Sequence, residues 1–430
     1  MNNTRYWNAK NIKAELDDYV IGQEKGTRSI AMAIAQHLQQ RDYHGPRELL
    51  QTDNVLLIGP TGCGKTETFR VMHKLQFEFD CPVVMFNALD YSATKSWQGN
   101  AITDIFDDVA EEALKIYRYK YSKVRESVDM IKRKVTEIAN RAIILLDEFD
   151  KIAMHGENCS RSFVKEYQSN LLKLVEGNTY EVNDTIGYKR KYQKHNDNGS
   201  EETETETVYL DNLKLNTKHM MFIFIGAFQG ISDITKYRLS EEKNSKKKTS
   251  ASIDYQGTHI GFMTSTRKNI VIKQEEYTYE QLIPSQDDII KYGLMRELVG
   301  RITIRTVYLP LAEDALVDIL IRSKTSAYKK YQERFKQNGH VLRCSRSALR
   351  EIAHICVDRG TGARGLMNVF AEILQETQYE LSDNPRPIHC LVIGKDVREH
   401  KPPLLHDITE KANRKWKKRL KKMYEEQHNK

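Results

Sequence analysis

Four short apolar runs punctuate the chain before residue 230: residues 54–59 (NVLLIG), 83–87 (VVMFN), 142–147 (AIILLD) and 220–226 (MMFIFIG). Each is continuous rather than alternating and is bounded by polar residues or glycine, the pattern of a strand buried on both faces. Helical-looking stretches separate them, so the order predicts an α/β fold with a parallel sheet. Two segments break the pattern. Residues 184–207 are polar and biased, and residues 240–259 are rich in Ser and Lys. Both are expected to be long mobile loops, at about 184–212 and 238–270. After residue 309 the spacing becomes helical. In 312–336, Leu316, Ile319, Leu320, Tyr328, Tyr331 and Phe335 fall on one face. Further helices are expected over 346–358 and from Gly362, and a strand at 390–394 (CLVIG). Pro402-Pro403 then precedes a basic end. The chain thus divides into a large α/β domain (1–309), a small mainly helical domain (310–400) and a basic tail (401–430).

Composition narrows the class. No stretch approaches eighteen consecutive apolar residues, which excludes a membrane-spanning helix, and the first residues carry no apolar signal core. The six cysteines, at 63, 81, 159, 344, 356 and 390, form no CxxC. No zinc site is expected, and the usage suits a reducing, cytoplasmic setting. The 67 Lys and Arg against 59 Asp and Glu give a net charge of +8, a hint of nucleic acid. Its distribution removes the hint. The last twenty residues, from Lys411, hold nine Lys or Arg and two Glu, leaving +1 for all the rest. Nucleic acid is not an expected partner of the body.

The chemistry starts at Gly59-Pro60-Thr61-Gly62-Cys63-Gly64-Lys65-Thr66, which fits GxxxxGK[ST] after an expected strand. Glycines let backbone N–H groups wrap phosphate oxygens, and the following helix offers its positive end. Lys65 is the residue to reach the β- and γ-phosphates, and the Thr66 hydroxyl is a Mg²⁺ ligand. About eighty residues on, an apolar strand ends in Asp147-Glu148. Asp147 is the second Mg²⁺ partner and Glu148 the general base, acting through one water. The two motifs together predict ATP hydrolysis with ATP and Mg²⁺.

Further motifs then fall in a familiar order. Leu16-Asp17-Asp18-Tyr19-Val20-Ile21-Gly22-Gln23 resembles the adenine-side box of AAA+ proteins, in particular the ClpX family. Next come the phosphate loop and DEFDKI (147–152). Leu171-Leu172-Lys173-Leu174-Val175-Glu176-Gly177 is similar to the family's helix after its second pore loop, and Phe224-Ile225-Gly226-Ala227-Phe228 to its sensor-1 strand. Glu297-Leu298-Val299-Gly300-Arg301 resembles the arginine-finger segment and Gly362-Ala363-Arg364-Gly365-Leu366 the sensor-2 segment. The resemblance spans residues 12 to about 382. It implies an AAA+ P-loop large domain with a parallel sheet, followed by a smaller mainly helical domain. It also implies nucleotide contacts from Val20, Ile21, the phosphate loop with Glu67, and Arg364. Arg364 would act in cis, and Arg301 in trans within a homo-oligomeric, hexameric ring, with Arg305 close enough to compete for that role. No Asn, Thr or Ser stands at 225–228, so no sensor-1 catalyst is assigned.

The resemblance also implies what the ATP drives, the pulling of polypeptide, unfolded or tagged, through the ring's pore into a ClpP-like peptidase. The gripping loop falls at Trp97-Gln98-Gly99, where Gln98 stands in place of the family's aliphatic residue. A flat aromatic ring grips side chains by area, without sequence specificity; a tryptophan buried against its own domain is the other reading. Residues 155–162 take the second pore loop's place. Basic 189–195 takes that of a pore-entrance loop, or is a solvated charge run. Ile260-Gly261-Phe262 sits where the family carries its peptidase-docking loop, an apolar anchor in a polar segment. Only about fifteen residues precede the adenine-side box, none of them Cys, so the family's N-terminal zinc domain is not expected. A stand-alone remodelling chaperone and, on the tail alone, a nucleic-acid-dependent ATPase are the rival readings.

Overall fold

All four apolar runs are strands of one parallel sheet, joined by a fifth, Ile304–Val307. Across the sheet the order is Ile304–Val307, Val55–Ile58, Met221–Gly226, Ile143–Asp147, Val83–Asn87. Alternate side chains of each strand enter opposite cores. Leu56, Ile58, Ile144, Leu146, Phe222 and Phe224 face one, packed with helices Ile105–Tyr121, Val128–Ala139 and Arg161–Glu176. Val55, Leu57, Ile143, Leu145, Ile223 and Ile225 face the other, with helices Ala9–Asp17, Glu24–Gln39 and Lys65–Phe79. Burial on both faces explains why these strands read as unbroken apolar runs. The computed structural model describes residues 7–40, 52–89, 91–92, 100–121, 126–153, 161–195, 201–248, 277–384 and 386–407. No helix among them is long and apolar enough to cross a membrane.

The second unit has its own core, built from residues such as Leu316, Leu320, Phe335, Ile352, Phe370 and Leu374. Its helices lie against a three-stranded sheet. Val341–Cys344 pairs in parallel with Ile388–Val392, which pairs antiparallel with Leu404–Asp407. This last strand lies beyond the boundary expected at 400. Pro402-Pro403 precedes a strand rather than ending the unit.

Three further expectations change. The apolar face of 312–336 belongs to two helices, Glu313–Arg322 and Ala327–Gln337, with the Ser326 hydroxyl capping the second by accepting from Lys329 N. The expected loop at 184–212 is a hairpin of Ile186–His195 and Glu201–Leu210. Thr and Glu alternate at 203–207 with a strand's period of two. Polarity hid the strands: Ile186, Val208 and Leu210 at the root enter the core, and beside them Arg190 pairs with Glu206 across the hairpin. In the second expected loop, the helix Ile231–Lys248 continues well past residue 238.

Candidate active site

Parallel strands end along one edge of their sheet, where ligands of such folds bind. From the end of Val55–Ile58 the chain enters the glycine loop. Gly62 and Gly64 have φ of +79° and +107°, left-handed values that cost other residues about 1–2 kcal/mol. A Cβ on Gly62 would meet the Thr361 carbonyl at 2.5 Å, and one on Gly59 the Tyr308 carbonyl at 2.8 Å. Conformation and close approach both demand glycine here. The helix Lys65–Phe79 starts at once, held by buried Thr68, Val71, Met72, Leu75 and Phe79 on its inner face. Its first N–H groups therefore point into the loop. Lys65 Nζ donates to the carbonyl oxygens of Gly59 and, at 2.8 Å, Pro60.

Two buried side chains brace this loop from behind. The Gln23 amide donates to Cys63 O at 3.2 Å and Leu309 O at 2.8 Å, and its oxygen accepts from Leu309 N at 2.9 Å. Tyr308 and Thr68 share a 2.8 Å hydroxyl–hydroxyl bond. Burial pushes the Tyr308 phenol far above its usual range, so it stays protonated.

At the neighbouring strand ends, Asp147 Oδ1 accepts from Glu148 N at 2.8 Å, and Glu148 turns left-handed at φ +55°. That turn breaks strand alternation, and both carboxylates line one cavity. Buried Asp150 ties them to the Met221–Gly226 strand end by accepting from Ala227 N at 3.1 Å. There Phe228, at φ +47°, is buried 5.0 Å from the Tyr292 ring, while the adjacent Gln229 lines the cavity.

The second unit closes the other side. Ala363 N donates to Gly62 O at 3.0 Å, and Thr325 Oγ1 donates to Glu67 Oε1 at 2.8 Å. Lys324 pairs with Asp18 at 2.5 Å, and its ammonium and that of Lys74 lie 5.5 and 5.4 Å from the Tyr19 ring centre. The cavity between the units measures about 640 Å³, within the range of small-molecule sites. Val20, Ile21, Leu311 and Ile319 contribute apolar lining; Lys65, Asp147, Glu148 and Arg364, with Gly64 and Thr66, contribute charged and polar lining. A nucleotide, with an aromatic base and a charged phosphate chain, needs both. The Thr66 hydroxyl and Asp147 carboxylate are oxygen donors of the kind a hard divalent cation takes, so the residues fit Mg²⁺.

Of the residues expected from sequence, Val20, Ile21, the segment Thr61-Gly62-Cys63-Gly64-Lys65-Thr66-Glu67, Asp147, Glu148 and Arg364 line this one cavity. Gly59 and Pro60 contribute the carbonyls that hold Lys65. Arg301 is not among the lining residues; it is exposed, 2.7 Å from Glu176 Oε1. Its competitor Arg305 has Nε and Nη1 buried with no hydrogen-bond partner among the described residues. Trp97, Gln98 and Gly99, and Ile260, Gly261 and Phe262, lie outside the described residues. Sequence reading missed Gln229, Lys330 and Asn368 on the lining. Asn368 stands four residues after Arg364 on one helix, a spacing that places both on one face and was available as a signal.

Residues 50–305 match the family described as "AAA domain (Cdc48 subfamily)". The chain is 30% identical over 376 residues to a protein of Treponema denticola named "ATP-dependent Clp protease ATP-binding subunit ClpX", covering 86% of this chain and 76% of that one. Proteins of the same name from Borrelia duttonii and Borrelia recurrentis are each 30% identical over 393 residues, covering 90% of this chain and 77% of theirs.

Proposed function

The chain belongs to the AAA+ ATPases, related at the family level to the ClpX proteins, and on that premise we propose an ATP-driven protein unfoldase and translocase. Identical copies form a ring, hexameric as in the family resemblance, that threads polypeptide towards a ClpP-like peptidase in a reducing cytoplasm. The observation that carries the reading is the single cavity lined by the phosphate loop, by Asp147 and Glu148, and by Arg364 of the second unit.

In this reading Lys65 leaves the Gly59 and Pro60 carbonyls for the β- and γ-phosphates, exchanging neutral acceptors for charged ones. The Thr66 hydroxyl and the Asp147 carboxylate would hold Mg²⁺, which when bound would supply positive charge to the phosphate oxygens. Glu148, exposed on its left-handed turn, takes the proton of the attacking water. Arg364 stabilises the γ-phosphate charge in cis. Arg301 serves a neighbouring copy's site: its exposure suits a group that works across an interface, whereas Arg305 is held on a sheet strand with buried nitrogens. Contacts of the second unit with Gly62 and Glu67 give nucleotide a direct route to moving one unit against the other.

The test is degradation of a tagged fluorescent protein in the presence of a ClpP ring, comparing the parent with Phe262→Ala. ATP-dependent loss of fluorescence that needs Phe262 supports unfolding and docking together. Unfolding without degradation favours a stand-alone remodeller. Stimulation of ATP turnover by DNA, with no unfolding, overturns the proposal.

A further inference from the structure

The hairpin is sorted by charge, strand by strand. Ile186–His195 (IGYKRKYQKH) carries Lys189, Arg190, Lys191, Lys194 and His195 and no acid. Glu201–Leu210 (EETETETVYL) carries Glu201, Glu202, Glu204 and Glu206 and no base. The root is anchored. Ile186, Val208 and Leu210 are buried in the large core, and Arg190 bonds Glu206 at 2.9 Å and the Glu126 carbonyl at 2.9 Å. Past the Arg190–Glu206 pair, the register runs on for five more pairs, to His195 and Glu201. This outer arm is a two-stranded ladder, and among the described residues neither outer edge pairs with another strand.

Such an arm has a free row of N–H and C=O groups on each edge, and two strands alone are marginally stable. Charge decides what can join it. A second hairpin placed beside the first by translation sets the lysine strand of one copy antiparallel to the glutamate strand of the next. Basic and acidic strands then alternate, and each cross-strand neighbour tends to be of opposite sign. Pairing by a two-fold axis instead sets lysine strand against lysine strand, or glutamate against glutamate, and like charges oppose. The sorting thus favours head-to-tail contact over isologous contact. Repeated head-to-tail contact generates a ring or a filament.

We propose that the hairpin arms of successive copies of this chain pair edge to edge, lysine strand to glutamate strand, as a polarity-setting contact between subunits. This deepens the oligomeric part of the reading above, and nucleotide binding is measured alongside so that the two can fail separately. Complementarity within one hairpin has the same charge signature, so the test has to separate the two.

A swapped full-length chain does so. It carries Lys189→Glu, Lys191→Glu and Lys194→Glu together with Glu201→Lys, Glu202→Lys and Glu204→Lys, and leaves Arg190 and Glu206 in place. Its hairpin remains complementary within itself and towards its own copies. Against parent copies, however, every head-to-tail edge opposes like charges. Native mass spectrometry of mixed chains, with an ATP analogue bound, is expected to show assemblies of each kind and mixed assemblies about tenfold below statistical proportion. Mixing in statistical proportion, or failure of either chain to assemble, overturns the proposal. A second variant guards against a misfolded arm: residues 191–205 replaced by Asn-Gly, closing the hairpin at Arg190–Glu206. It is expected to assemble about tenfold more weakly than the parent while binding nucleotide equally; undiminished assembly again overturns the proposal.

Discussion

Gln23→Glu exchanges one NH₂ group for an oxygen, yet it acts on two contacts at once. The parent amide donates to Cys63 O and Leu309 O while its oxygen accepts from Leu309 N. An ionised carboxylate at this position keeps the last bond, loses both donations and turns an anion towards two carbonyls. Gln23 is 4% exposed, so water replaces little at Cys63 O, and an unsatisfied buried acceptor costs about 1–3 kcal/mol. Leu309 is 36% exposed and recovers part of its loss from solvent. The sum is about 2–4 kcal/mol. At about 2 °C per kcal/mol for a domain of this size, the melting temperature falls by about 4–8 °C. Cys63 is a phosphate-loop residue, so affinity for an ATP analogue falls too. Burial raises the pKa of the new carboxyl, and the protonated acid regains one donor. The deficit is therefore smallest below the ordinary Glu pKa and grows as pH rises through the raised folded value. Differential scanning fluorimetry from acid to neutral pH, with and without nucleotide, measures all three effects. A variant that melts within about 1 °C of the parent and binds nucleotide equally refutes the bracing role of Gln23.

Two further outcomes are expected. Burial lowers the His37 pKa to about 4 from 6.5, with Nε2 bonded to Arg141 O at 2.8 Å. A base depressed in the folded state leaves the unfolded chain binding the extra proton between those values. Stability is therefore full above about pH 6.5, and about 3 kcal/mol is lost as pH falls towards 4; in pH-dependent melting, His37→Gln flattens that part of the profile. Arg301→Ala removes an exposed pair with Glu176 worth at most about 1 kcal/mol, so melting barely shifts while ATP turnover falls about 10³-fold. Turnover regained on mixing Arg301→Ala with Glu148→Gln subunits marks action across an interface; no recovery in mixed assemblies refutes it.

What the sequence made legible follows from where each signal originates. The four expected strands are buried on both faces, so burial alone wrote them as apolar runs. The glycine loop was readable because conformation forbids other residues at Gly62 and close approach forbids them at Gly59. The hairpin at 186–210 was misread as a loop because only its root, at Ile186, Val208 and Leu210, meets the core, while the sequence beyond that root is polar. The break between Arg322 and Ala327 was hidden because both helices present apolar residues to the same core. Gln229 reaches the cavity through the left-handed Phe228 beside it, a backbone state that no side-chain pattern announces. Lys330 arrives from the second unit, and its place depends on how the two units meet.

In the proposed function, Asp147-Glu148 and the phosphate loop form one ATP-hydrolysing centre. Phosphate release by Glu148→Gln, beside equilibrium binding of ATP, tests it most directly. ATP binding like the parent's is expected, with turnover reduced about 10²–10⁴-fold. Turnover equal to the parent's, at equal binding, contradicts it.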